Sequence, residues 1–86
     1  MKKLLAELSL YPLDNQYIPP IKDFIERLNQ YPELYVKTSA TNTLVMGEHQ
    51  RVMDVISKEL AMTHEQTDQA ILVCKFLKCP EDFKAD

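Results

Sequence analysis

The sequence predicts an α+β fold, a ferredoxin-like β-α-β-β-α-β sandwich with two helices on one face of an antiparallel four-stranded sheet. Three observations carry this expectation. Apolar residues alternate along Lys3–Tyr11, Leu34–Thr38 and Thr41–Gly47, the period of a strand. Two stretches between them, Tyr17–Tyr31 and Glu48–Met62, carry apolar stripes at helical spacing. A last run, Asp68–Lys78, is apolar on both alternating sets, which fits a strand covered on both faces. Right-handed crossovers and adjacent hairpin pairing leave few topologies for that order.

In the first strand Leu4, Ala6, Leu8 and Leu10 point one way, and Leu5, Glu7, Ser9 and Tyr11 the other. Leucine is a weak strand former, so periodicity decides against a helix. Pro12–Gln16 is a loop with Asp14-Asn15 as turn residues. Pro19 and Pro20 suit the entry of the first helix, where the backbone N–H has no intrahelical partner. Ile21, Phe24, Ile25 and Leu28 form its stripe, while Lys22, Asp23, Glu26 and Arg27 face water, with Asp23–Arg27 and Lys22–Glu26 as i,i+4 pairs. Pro32 stops it.

The second strand turns at Ser39-Ala40 into the third, which is rich in β-branched residues. Val52, Val55, Ile56, Glu59 and Leu60 lie near one stripe of the second helix, with Met53 at its edge. Thr63–Gln69 is polar and reads as a loop. The tail from Cys79 is expected to fray. Leu5, Tyr11, Tyr35 and one side of the fourth strand would leave an apolar second sheet face, which is costly to expose. A homodimer or higher even oligomer is therefore expected.

The chain's 86 residues are expected to form a single domain, 1–86. A domain of this size buries roughly 60% of its unfolded surface and often associates. A net charge of −3 argues against nucleic acid or an anionic membrane as partner. No apolar run reaches the roughly 20 residues that span a bilayer. The opening MKKLLAELSLYP is interrupted by Glu7 and followed by no small-residue cleavage site, so it reads as a strand and the protein as cytoplasmic. Cys74 and Cys79 would lie about 17 Å apart on a continuous strand, too far for a disulfide.

Thr38, Ser39, Thr41, Asn42 and Thr43 crowd hydroxyls and an amide at the hairpin. They are candidate hydrogen-bonding groups for a polar heterocycle; the plainer reading is strand propensity and turn chemistry. Glu7, Ser9 and Tyr11 form a second candidate group. A carboxylate among leucines needs a partner if covered, and a ligand N–H or an interface could supply it. His49, His64, Cys74 and Cys79 lack the spacing of a zinc site, so no metal or cofactor is expected. A single glycine excludes a glycine-rich phosphate loop. No nucleophile elbow or Cys-His arrangement is visible.

ELSLYPL at Glu7–Leu13, YIPPIKDFIERLN at Tyr17–Asn29, VKTSATNTLVMGE at Val36–Glu48 and VMDVI at Val52–Ile56 resemble the YkoF-like thiamine/hydroxymethylpyrimidine-binding family. The resemblance covers nearly the whole chain and takes it as a single-domain form. It implies a ferredoxin-like fold, dimers or tetramers built through sheet contacts, and non-catalytic binding of thiamine or its hydroxymethylpyrimidine precursor, in salvage or transport. By position it implies ligand contacts at Glu7, Ser9, Tyr11, Thr38, Ser39 and Thr43; Thr41 and Asn42 join them on chemistry. Two rival readings stay open. One is a small dimeric α+β-barrel enzyme using Glu7 or His49. The other is a ligand-free interaction or regulatory module.

Overall fold

The computed structural model of the protein describes residues 2–84. The elements are β1 (Lys3–Pro12), α1 (Ile18–Leu28), β2 (Tyr35–Thr38), β3 (Thr43–Glu48), α2 (His49–Gln66) and β4 (Ala70–Lys78). The strands form one antiparallel sheet in the order β2-β3-β1-β4, the ferredoxin-like arrangement expected from the sequence. Both helices pack on the face bearing Leu4, Ala6, Leu8 and Val45, which join Phe24, Leu28, Val52, Val55 and Ile56 in the core. No helix among the described residues is long and apolar enough to cross a membrane.

Gly47 owes its place to packing. Its φ is not positive, but a Cβ there would sit 2.6 Å from Leu34 Cδ2 and 3.4 Å from Val52 Cγ2. The absent side chain lets Leu34, from the turn before β2, reach the core. Immediately after it, Glu48 caps α2, its carboxylate accepting from the amides of Gln50 and Arg51 at 3.0 Å each, which satisfies donors that a helix start leaves orphaned.

Four boundaries depart from the sequence expectation. The β2–β3 connection is the four-residue loop Ser39–Asn42, closed by Ser39 N–H donating to Asn42 C=O at 2.8 Å, so Thr41 and Asn42 are not strand residues. The first helix stops at Leu28: Asn29 N–H makes the last i−4 bond, to Ile25 C=O, and the Gln30 and Tyr31 amides then donate to Arg27 and Leu28 C=O in tighter i−3 turns. The second helix continues to Gln66 through residues read as loop. Finally, the tail folds back: Phe83 meets Tyr35 edge-to-face with centroids 5.5 Å apart. Leu5 faces away from the helices, beside Met46 and Tyr35 in register, yet is only 8% exposed.

The helix extension has a polar cause. Glu59, Thr63 and Gln66 lie on one stripe of α2, and Arg27 of α1 reads all three. Its Nε donates to Glu59 Oε1 at 2.6 Å, Nη2 to Thr63 Oγ1 at 2.7 Å and to Glu59 C=O at 3.1 Å, and Nη1 to Gln66 Oε1 at 3.2 Å. Arg27 therefore turns toward α2 instead of standing in water beside Asp23. Tyr31 donates its phenol to Glu59 Oε2 at 2.5 Å; that hydrogen bond first, then burial, holds the phenol above the usual tyrosine range. Arg51 lies over the Tyr31 ring, 5.4 Å from its centroid, and pairs with Glu33 at 2.7 Å.

Removing one partner of a covered pair strands the other charge. Arg27→Ala is expected to cost about 3 kcal/mol in urea unfolding, less than a fully buried pair would lose, because the Arg27 side chain keeps 21% of its exposure. The double variant Arg27→Met/Glu59→Leu should recover most of that loss; equal losses in single and double variants would show that packing, not the stranded carboxylate, is what the single variant disturbs.

Candidate functional site

β1 is the central strand, and its two neighbours differ in reach. It pairs with β4 from Leu4 to Pro12, but with β3 only from Lys3 to Leu8. The Ser39–Asn42 loop ends β3 early and leaves the far end of β1 without a neighbour on that side. Successive residues of an antiparallel strand direct their main-chain groups to opposite sides. Lys2 C=O accepts from His49 on the β3 side, and Lys3 C=O from Cys79 on the β4 side. Even-numbered residues of β1 thus face β3, and Leu10 presents its N–H and C=O to the vacated edge.

That edge is one wall of a cleft of about 530 Å³, within the usual size of small-molecule sites. β1 contributes Leu8 to Pro12, the hairpin contributes Thr38 to Thr43, and α1 closes the third side with Ile21, Phe24 and Ile25. The apolar stripe of α1 is thus divided. Phe24 and Leu28 are buried in the core, while Ile21 and Ile25 are only partly covered. Leu13 and Tyr17, from the loop between β1 and α1, complete the rim.

The hairpin's polar groups are organised before any ligand arrives. Ser9 Oγ donates to Thr41 C=O at 3.0 Å, fastening the loop tip to β1. Ser39 Oγ donates to Asn42 Oδ1 at 3.0 Å. Thr38 and Thr43 share a hydrogen bond between their hydroxyls at 3.2 Å. Each hydroxyl retains capacity for a further partner. The lining holds hydroxyls, one amide and the phenol of Tyr17, with Tyr11 at its edge, and no carboxylate, imidazole, amine or thiol among its residues.

The structure brings Ser9, Tyr11, Thr38, Ser39, Thr41, Asn42 and Thr43 together at this cleft. The four-residue loop is what permits it: on a continuous strand Asn42 and Thr43 would point to opposite faces. Glu7 is not brought in. Alternation places it on the helix-free face, between Leu44 and Lys75 in register, with Lys75 Nζ 3.7 Å from its carboxylate. The sequence reading missed Tyr17, Ile21 and Ile25 as lining residues. Two tyrosines flanking the Pro12–Gln16 loop were the available signal for Tyr17.

The histidines stand apart, at opposite ends of α2, where His64 Nε2 lies 3.0 Å from Ala70 C=O. Both cysteines are free, and burial pushes the Cys74 thiol up. Among the described residues no cluster of three or more His, Cys, Asp or Glu side chains could hold a metal ion.

The molecule is thus a ferredoxin-like α+β protein with an uncharged cleft where its central strand outruns a neighbour. The chain belongs to the YkoF-related family, whose model matches residues 4–82. Solved structures with the same fold include a Thermotoga maritima protein provisionally assigned to thiamine biosynthesis or salvage, with a TM-score of 0.79 and 19% identity over 96% of this chain and 85% of that one. A hypothetical protein of Methanocaldococcus jannascii matches with a TM-score of 0.81 and 23% identity over 100% and 89%. A Streptococcus pneumoniae protein matches with a TM-score of 0.83 and 22% identity over 94% and 90%. No curated protein is significantly similar in sequence.

Thr43 is 5% exposed and Thr38 is exposed. Thr43→Val therefore releases Thr38 Oγ1 to water and strands no buried partner. The expected cost in urea unfolding is below about 1 kcal/mol, which makes this variant a usable probe of ligand binding; a loss of several kcal/mol would mean that the hydroxyl pair holds the hairpin together.

Proposed function

We propose that this chain binds thiamine or its hydroxymethylpyrimidine precursor without catalysis, in the cytoplasm, as part of salvage or transport. The observation that carries the reading is the uncharged, largely apolar cleft edged by hydroxyls, an amide and two tyrosines. An aminopyrimidine offers amine donors and ring-nitrogen acceptors. With Glu7 outside the cleft, its amine would be met by carbonyl acceptors, chiefly Leu10 C=O. Its ring nitrogens would be met by the hydroxyls of Thr38, Thr41 and Thr43 and by the Asn42 amide. Tyr17 would stack on the ring or on a cationic thiazolium. Membership of the YkoF-related family and the likeness to the Thermotoga maritima protein support the same ligand class. The lining holds no carboxylate, imidazole, amine or thiol that would activate its hydroxyls, which favours binding over turnover.

The proposal includes a homodimer or homotetramer. Tyr11, Ile71, Val73 and Leu77 lie on the helix-free face in register, each between 44% and 54% exposed. A second copy there, or along the free edge of β4, would remove them from water.

The test is the melting temperature with and without thiamine, hydroxymethylpyrimidine and thiamine phosphates, for the wild type and for Thr43→Val. A ligand at about 100 times its dissociation constant adds roughly 2.7 kcal/mol, or roughly 10 °C or more for a domain of this size. The expected result is a shift with one of these compounds that shrinks in Thr43→Val. A folded protein that responds to none of them would overturn the ligand assignment.

A further inference from the structure

A second cleft, of about 750 Å³, lies at the opposite end of β1. Its walls come from segments far apart in sequence: Lys2, Lys3 and Leu4 at the start of β1, Met46 near the end of β3, His49 at the start of α2, and the stretch from Lys78 to Glu81 with Phe83. Main-chain bonds gather them. His49 N–H donates to Lys2 C=O at 3.0 Å, and Cys79 N–H to Lys3 C=O at 3.1 Å. The register sets Lys78 opposite Leu4. Phe83 N–H donates to Pro80 C=O at 3.1 Å, and the turn this closes brings the Phe83 ring back against Tyr35.

The charge balance there runs against that of the whole chain. The protein carries a net charge of −3, yet this cleft holds Lys2, Lys3 and Lys78 with His49, opposed among its lining by Glu81 alone. Among the described residues none of these three lysines has an ion-pair partner. The nearby Glu48 carboxylate is engaged by the Gln50 and Arg51 amides. Because those amides point at Glu48, the start of α2 offers them to no ligand, and attraction for an anion rests on the side-chain ammonium groups. Cationic groups gathered around a concave surface raise the local concentration of anions there. Met46, Pro80 and Phe83 supply an apolar floor beside these groups.

We infer that this cleft is a second binding site, for the phosphate or pyrophosphate group of a small organic ester whose flat apolar body rests on Phe83 and Met46. Ammonium groups act as point charges without the fixed fork of arginine. The site therefore selects for charge more than for shape, and binds pyrophosphate more tightly than orthophosphate. It is independent of the hydroxyl-lined cleft, which lies at the other end of the sheet and holds no cationic side chain.

The test is a titration of the intact protein followed by amide chemical shifts, with inorganic pyrophosphate and phenyl phosphate as probes. Both are expected to move the amides of Lys2 to Leu4, His49 and Lys78 to Phe83, and to leave Thr38 to Thr43 unmoved. The exposed double variant Lys3→Gln/Lys78→Gln should bind both probes roughly tenfold or more weakly. Phe83→Ala should weaken phenyl phosphate and spare pyrophosphate. Equal affinity in the lysine variant, or shifts spread over the whole surface, would refute the site. Phenyl phosphate binding that is indifferent to Phe83→Ala would reduce the ligand to an inorganic anion and overturn the ester assignment.

Discussion

The unequal pairing of β1 governs both ends of the molecule. Hydrogen bonds to β4 continue to Pro12, while those to β3 stop at Leu8. A sheet that loses a neighbour part-way along its central strand leaves a main-chain edge and a recess beside it. The hairpin loop crosses that recess, the Ser9 hydroxyl fixes its tip, and α1 roofs it. At the other end the same strand is closely embraced: His49 and Cys79 donate to its first carbonyls, and lysines from separate elements are drawn together around it. One strand register thus produces an uncharged cleft at one end and a cationic one at the other.

The helical layer must be held in a fixed position for the first cleft to keep its shape, because Ile21 and Ile25 form one of its walls. Apolar packing supplies most of the stability, but it is tolerant of sliding. Arg27 is less tolerant. Its guanidinium fits a carboxylate, a carbonyl, a hydroxyl and an amide on successive turns of α2, and a shift of one helix along the other would strand several of them. Glu59 and Thr63, both buried, thereby act as register marks between the helices. Gly47 plays a comparable part below, since the space it leaves admits Leu34 against Val52.

The sequence made the element order legible because each strand alternated and each helix carried a stripe, signals that depend on one residue and its near neighbours. It misplaced what depends on distant partners. Thr63 to Gln66 looked like a loop because a polar run in isolation has no reason to be helical; Arg27, far away in sequence, provides the reason. Phe83 sat in a charged tail, and only Tyr35 explains why it folds back. The hydroxyl cluster was visible as composition. Its convergence was not, since a two-residue turn would have divided Asn42 from Thr43, and the four-residue loop instead sets both at one cleft. Glu7 was drawn into the candidate group by its unusual setting among leucines, but its setting is the open sheet face beside Lys75.

The β1 edge beyond Leu8 lacks a β3 partner and, on the proposed function, receives the ligand. Amide hydrogen exchange along β1 tests this most directly, with and without hydroxymethylpyrimidine. The Ala6 and Leu8 amides, directed at β3, should be strongly protected in the free protein. The Leu10 amide should exchange much faster, and should slow when the pyrimidine is added. A Leu10 amide as protected as Ala6 in the free protein, or one that the pyrimidine leaves unchanged, would contradict the account.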